Sequence, residues 1–297
     1  MTVDVAPAGV GRARRLATWF HRHPRARVAS LLAAPLAWVG LVYLGSLTIL
    51  LLNAFWTQDS FSGRIVPIFT LDSFEKLVTS DVYRTIALRT IGMATAVTLT
   101  DALIAFPIAY YMARVASRGT RRLLVIAVLM PLWGSYLVKV YAWRVIFQGN
   151  GLLDWLLAPF GISGPGLREV SNSWIVLSYL WLPYMILPIY AGLERIPESL
   201  LEASSDLGAK AGRTFRRVVL PLVLPAVVAG SIVTFSLTLG DYITPSLVSG
   251  TKFIGNVIYD NSSLGSLPLA AAFSFVPIVI MIAYLLVARR LGAFESL

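Results

Sequence analysis

The chain has 297 residues, 57% of them hydrophobic and only 13% charged, with a mean hydropathy of +0.74; soluble domains carry roughly 25% charged residues. Zero cysteines exclude disulfides, thiolate metal sites and a cysteine nucleophile, and two histidines, His21 and His23, are too few for a metal centre. The net charge of +10 calls for an anionic partner or a topological explanation.

Residues 1–28 form a basic segment. Its stretch RARRLATWFHRHPRAR (Arg12–Arg27) reads as an orientation signal for the first span. It could also lie on anionic headgroups with Trp19 and Phe20 dipping inward. The first apolar run begins near Val28 and is too long for a signal-peptide core, so no cleavable signal is expected.

Counting from charge to charge then gives six apolar runs. Ala29–Asn53, Ser173–Leu193, Val218–Gly240 and Ser266–Ala288 are free of charge. Thr90–Met112 carries Asp101, and Leu123–Phe147 carries Lys139 and Arg144. Each meets the requirement of about 20 residues for a helix to cross a bilayer. No series of alternating strands of about 10 residues, as a barrel needs, is present. An all-α integral membrane fold with six transmembrane helices follows, over residues 29–290, with a short tail at 291–297.

Most of the 25 basic residues fall on one side if both termini are cytosolic. Arg114, Arg118, Arg121 and Arg122 follow the second run, and Arg195, Lys210, Arg213, Arg216 and Arg217 follow the fourth. Arg289 and Arg290 close the sixth. The opposite segments hold more acidic than basic residues, among them Asp59, Asp72, Asp154, Asp241 and Asp260. The positive charge is therefore topology. No aromatic-basic platform separates from the spans, so nucleic acid is not expected as a partner.

Between the fourth and fifth runs lies a polar loop at about residues 194–218. It leads into EASSDLGAKAGRTFRRVVLPLVLP (Glu202–Pro225). Ile196–Leu207 suits a short helix on the membrane surface, ended by Gly208 in the left-handed conformation. Ala209–Val219 suits a second helix, and Leu220-Pro221 the start of the next span. The pattern of Glu202, Ala203, Ser204, Asp206, Gly208, Ala209, Phe215, Leu220 and Pro221 resembles the "EAA" loop on which the permease subunits of type I ATP-binding-cassette (ABC) importers dock their ATPase.

Other stretches extend that resemblance. GNGLLDWLLAPFGI (Gly149–Ile162), SLTLGDYITPSLVSGTKFIGNVIYDN (Ser236–Asn261) and FTLDSFEKLV (Phe69–Val78) are similar to segments of spermidine/putrescine-type permeases. Relatives for opines, phosphonates and ferric iron share much of the pattern. Asp154 stands where the family more often has Asn, and Ser204 where the loop usually has a second alanine. The resemblance implies the type I ABC importer permease fold, in a bacterial cytoplasmic (inner) membrane with N- and C-termini cytosolic. It also implies a second permease subunit (a related chain or a copy), two ABC ATPase subunits, and an extracytoplasmic substrate-binding protein.

The chain has no GxxxxGK[ST] phosphate loop, no Ser-His-Asp set and no HExxH. No catalytic residue, metal or cofactor is assigned to it. ATP and Mg would be bound by the partner ATPase, which makes this a non-catalytic membrane subunit. Two competing classes explain less. An ion-driven secondary transporter predicts inverted repeats, and a channel predicts a charged ring or symmetric filter.

A polyamine needs carboxylates at intervals and aromatic faces along its path. Asp241 closes the fifth run with Tyr242 beside it. The alternative for Asp241 is a structural aspartate bonding backbone amides of the following turn. Asp101 is an intramembrane carboxylate, a functional candidate by default or an interhelical hydrogen-bonding group. Trp181 and Tyr184 supply aromatic surface, which at span ends serves equally as interfacial anchoring.

Overall fold

The computed structural model describes residues 24–59, 63–149, 151–161 and 169–290. The basic segment up to His23, the 291–297 tail and parts of the Gly149–Ile162 stretch lie outside them. The chain divides into two compact units, Met1–Asn53 and Ala54–Leu297.

In the first unit, α1 (Pro24–Ala37), a π-helical stretch (Trp38–Leu44) and α2 (Gly45–Leu52) follow one another. With a short 3-10 turn they make the apolar rod Leu31–Phe55, long enough to cross a bilayer. Ser46, Thr48 and Asn53 return their side-chain donors to carbonyls one turn back, so these three polar groups are satisfied within the rod.

The second unit opens with an antiparallel hairpin, β1 (Trp56–Gln58) and β2 (Ile65–Phe69), with a register irregularity at Trp56/Thr57. This hairpin departs from a purely helical reading, and its shortness explains why alternation did not reveal it. It continues through α3 (Asp72–Thr79) into α4 (Asp81–Tyr110), extended by a π turn, Tyr111–Val115. The second span is thus Asp81–Val115, longer than the charge-bounded run, because Arg84 and Arg89 sit on its first turns.

The third expected span, Leu123–Phe147, is not straight. It is realised as α5 (Arg118–Trp133) and α6 (Tyr136–Ile146), which meet at 92°. Gly134 and Ser135 take extended ψ values of 142° and 132° just after Pro131. Pro131's carbonyl, left near the broken end, accepts from Lys139 Nζ at 3.1 Å. Lys139 thereby caps the break, since a freed carbonyl in an apolar medium needs a donor.

After α7 (Leu152–Leu157), α8 (Val170–Glu194) runs as one helix despite Pro183 and Pro188. The Glu202 loop contributes α9 (Glu198–Asp206) and α10 (Ala211–Thr214). A π turn at Phe215–Val219 joins α10 directly to α11 (Leu220–Gly240). The chain then closes with α12 (Ile243–Val248), α13 (Ile254–Ser263) and α14 (Leu267–Arg290).

The core is the mutual packing of α4, α8 and α11. Ala105, Ala109, Met112, Met185, Ile189, Leu193 and Val223 form its largest buried cluster. In lipid no hydrophobic force separates helix from solvent, so close backbone approach and dispersion must hold the bundle. Small residues supply that approach. A Cβ on Gly192 would lie 2.6 Å from Ala226 Cβ, and one on Gly230 would lie 2.9 Å from Met185 Sδ. α13 and α14 pack together beside this core, with Tyr83 edge-on to Phe273 at 4.5 Å.

Gly192→Ala therefore overpacks the α8–α11 contact and should cost about 1–3 kcal/mol. Gly92→Ala, with nothing within 4 Å of its new Cβ, should be neutral or mildly stabilising. Thermal unfolding of the two purified variants in detergent checks the pair. Equal midpoints would contradict the packing described.

Candidate functional site

The Glu202 loop is built from helix-end chemistry. α9 ends in a Schellman arrangement: Gly208 N donates to the Ser205 carbonyl at 2.8 Å and Ala209 N to that of Ser204 at 3.1 Å. That closure requires a left-handed residue, and Gly208 has φ +76°. The first helix spans Glu198–Asp206, inside the expected Ile196–Leu207. The second is not a separate helix. Ala211–Gly240 is continuous, so Leu220-Pro221 starts no new helix, and the π turn lies just ahead of Pro221, which has no N–H to donate.

The loop's two arms are tied to each other and to the bundle. Ser204 Oγ and Thr214 Oγ1 lie 2.9 Å apart and join α9 to α10, which gives the residue that departs from the usual alanine a partner. Phe215 meets Phe106 edge-on at 5.4 Å and Tyr110 at 6.3 Å, so it faces inward. Glu202, Ala203, Asp206 and Leu207 are exposed, Leu207 to 87%. Among them, a large apolar side chain beside two carboxylates offers a surface suited to a protein partner.

Where the loop meets the bundle, arginines cap loose carbonyls. Arg114 Nη2 donates to the Leu193 carbonyl at 2.5 Å and to that of Ile196 at 2.7 Å. Arg121 donates to the Met112 carbonyl at 3.0 Å and the Ala113 carbonyl at 2.9 Å, both in the π turn that ends α4. Arg121 also pairs with Glu194 at 3.3 Å, and Tyr190 donates to the same carboxylate oxygen.

At the opposite end of α11, Asp241 accepts four hydrogen bonds. Oδ1 takes Ile243 N at 2.9 Å and Thr244 N at 3.1 Å; Oδ2 takes Thr244 Oγ1 at 2.9 Å and Tyr136 Oη at 2.5 Å. The amide bonds are the structural role open to this aspartate from sequence. The Tyr136 bond is new, and it exists because the break in the third span turns α6 toward this corner.

Tyr136 also gathers the aromatic residues. Its ring stacks on Trp181 (centroids 6.0 Å apart, 13°), and Trp181 lies 6.0 Å from Tyr184. Asp241, Trp181 and Tyr184 thus form one cluster through a residue that sequence reasoning placed mid-span. The Pro131–Gly134–Ser135 sequence was the available signal for the break. Tyr242 turns elsewhere and stacks on Tyr259 at 4.6 Å. Asn256, buried and likewise not singled out, locks the corner by donating to the Tyr242 carbonyl at 2.9 Å and Ser246 Oγ at 2.7 Å.

Asp101 stands apart. It is fully buried on α4, with Ser178 of α8 facing its carboxylate. Thr98 Oγ1, Ser178 Oγ, Trp181 Nε1 and Thr234 Oγ1 are also buried on the same three helices. This is a polar seam within the chain's own core.

Residues 103–294 match the family model described as "Binding-protein-dependent transport system inner membrane component". The chain is 44% identical to the inner membrane ABC transporter permease protein YdcU of Escherichia coli K12, covering 100% of this chain and 99% of that one. It is 30% identical to the spermidine/putrescine transport system permease protein PotB of the same strain, over 80% and 88% of the two chains. A chain of a bacterial alginate ABC transporter, solved in complex with its alginate pentasaccharide-bound periplasmic protein, superposes with a TM-score of 0.72 at 18% identity, over 94% and 97% of the chains. The five long apolar helices and the bent α5–α6 pair are the six spans of this fold. This chain therefore belongs to the binding-protein-dependent transport system inner membrane components, as a type I ABC importer permease subunit.

Proposed function

We propose that the chain forms, with a second permease subunit, the membrane path of an ATP-driven importer for polyamines or a related small polycation. The observation that carries the importer reading is the Glu202 loop: a rigid two-armed knob, closed at Gly208 and presenting Glu202, Asp206 and Leu207 outward. Such a knob suits docking of a cytosolic ATPase, which would bind the ATP and Mg that this chain lacks the motifs to hold. The basic residues flanking that end support a cytosolic position for it and for both termini. On the far side, the family description and the periplasmic protein bound to the alginate transporter support delivery by an extracytoplasmic binding protein.

The polycation reading rests on PotB's named solutes and on the Asp241 cluster. A carboxylate bonded by Tyr136, whose ring stacks on Trp181 with Tyr184 beyond it, offers an ammonium both charge and a neighbouring aromatic cluster. The bonds from Tyr136 and Thr244 are exchangeable hydroxyl donors, so an arriving ammonium can replace them without disturbing the two amide bonds.

Docking is tested at the loop. Gly208→Asp forces a Cβ into the left-handed region at a cost of about 1–2 kcal/mol, and Glu202→Lys reverses the exposed charge. Both proteins should insert but lose ATPase co-purification or uncouple hydrolysis from uptake. Wild-type behaviour in both would remove the docking assignment.

Orientation is read with single cysteines on this cysteine-free chain. At exposed Ser205, a membrane-impermeant maleimide should label only opened cells. At exposed Ser262 it should label spheroplasts. The reverse pattern would invert the topology.

The solute is tested with Asp241→Asn, which keeps the amide-accepting oxygen and the shape but removes the charge. A charge-assisted bond of about 1.5–3 kcal/mol would be lost, a fall of about tenfold or more in apparent affinity for putrescine or spermidine, with the complex still assembled. Unchanged polyamine uptake would return Asp241 to a purely structural role.

A further inference from the structure

α4 touches both arms of the Glu202 loop. At its end, Arg114 Nη2 holds the Leu193 and Ile196 carbonyls, in the last turn before Pro197 leads the chain into α9. Earlier on the same helix, Phe106 and Tyr110 receive the Phe215 ring, on the arm that returns to α11. The loop's entry and exit are thus gripped by one element, by directed hydrogen bonds on one side and ring packing on the other.

The same helix reaches the Asp241 corner. Thr90 Oγ1 accepts from Ile254 N at 3.0 Å, at the start of α13. The next residue, Gly255, packs its backbone on that corner: a Cβ there would lie 2.8 Å from the Gly240 carbonyl and 3.2 Å from Asp241. Thr90 and Arg114 stand about 36 Å apart at 1.5 Å per residue, on one continuous helical run that includes Pro107 and ends in the π turn carrying Arg114. A continuous helix held at two distant points passes a displacement from one to the other. A loop fastened to anything softer would absorb it.

We propose that Arg114 is a positioning residue of the transport cycle: with the grip of Phe106 and Tyr110 on Phe215, it makes α4 the lever that carries movement of the Glu202 loop to the Asp241 corner. The inference rests on the docking reading above and adds to it a route through the chain. Arg114 itself lies behind the loop, half-buried, and contributes nothing to the exposed knob. Losing it should therefore leave ATPase binding intact and damage only the transmission.

The experiment uses the complete complex, with ATPases, in nanodiscs, and compares hydrolysis with and without solute-loaded binding protein. Arg114→Gln has too short an arm to reach both carbonyls. It should retain the ATPase subunits and basal hydrolysis while stimulation falls about tenfold, a typical coupling magnitude. Arg114→Lys keeps the charge and enough donors for both carbonyls, and should recover most of the stimulation. A nitroxide on Ser205→Cys should report a more mobile α9 in the Gln variant and not in the Lys variant. Should Arg114→Gln fail to insert, Phe106→Leu loosens the other arm and should lower stimulation in the same way. Full stimulation in Arg114→Gln, or in Phe106→Leu where that variant stands in, would overturn the proposal. So would a Lys variant as impaired as the Gln one, or loss of the ATPase subunits from the Arg114→Gln complex. A failed docking reading shows separately, as wild-type coupling in the Gly208 and Glu202 variants.

Discussion

A backbone carbonyl that loses its helical partner in an apolar medium must find another donor, and this chain answers that constraint with basic side chains. Pro131's carbonyl, at the bend of the third span, takes Lys139. The π turn at the end of α4 exposes Met112 and Ala113, which take Arg121. At the end of α8 the Ile196 carbonyl takes Arg114, which also reaches the Leu193 carbonyl beside its bond from Ile196 N. Each cap permits an irregularity that the fold uses: the bend, the compact end of the second span, and the turn into the Glu202 loop. An unmade bond of this kind would cost about 1–3 kcal/mol, so the caps decide where the helices can stop and turn.

The bend has the wider consequence. A straight third span would keep Tyr136 within one continuous helix. At 92° the second half, α6, crosses to the Asp241 corner and sets its hydroxyl on the carboxylate. The aromatic cluster is therefore a product of the break, and Lys139 supports it without touching it. Around the corner the bonds are dense, with Asp241, Thr244, Tyr136 and Asn256 all engaged. Such a corner holds one arrangement well.

The polar seam of Asp101, Thr98, Ser178 and Thr234 contrasts with that corner. Its groups are buried on the helices that pack most closely. Above and below them lie apolar clusters such as Val97 with Leu177, and Ala105 with Met185. The three-helix core holds through its small residues, with Gly192 against Ala226 and Gly230 against Met185.

Much was determined by sequence alone, because the properties concerned are additive along the chain. Apolar length sets the spans, and Gly208 with its neighbours writes a helix stop whose hydrogen bonds are all local. The alternative structural role of Asp241 was legible for the same reason, since its amide partners lie two and three residues on. The tertiary structure decided what depends on distant partners. Tyr136 reaches Asp241 across more than a hundred residues of chain, and only the bend determines that meeting. The inward turn of Phe215, the stacking of Tyr242 away from the cluster, and the burial of Asp101 in the chain's own core follow from which helix lies alongside. So does the continuity of the loop's second arm with α11, which reading Leu220-Pro221 as a helix start did not anticipate. Local chemistry shows where a helix can end or turn; what stands opposite it is set by packing, which no short stretch of residues contains.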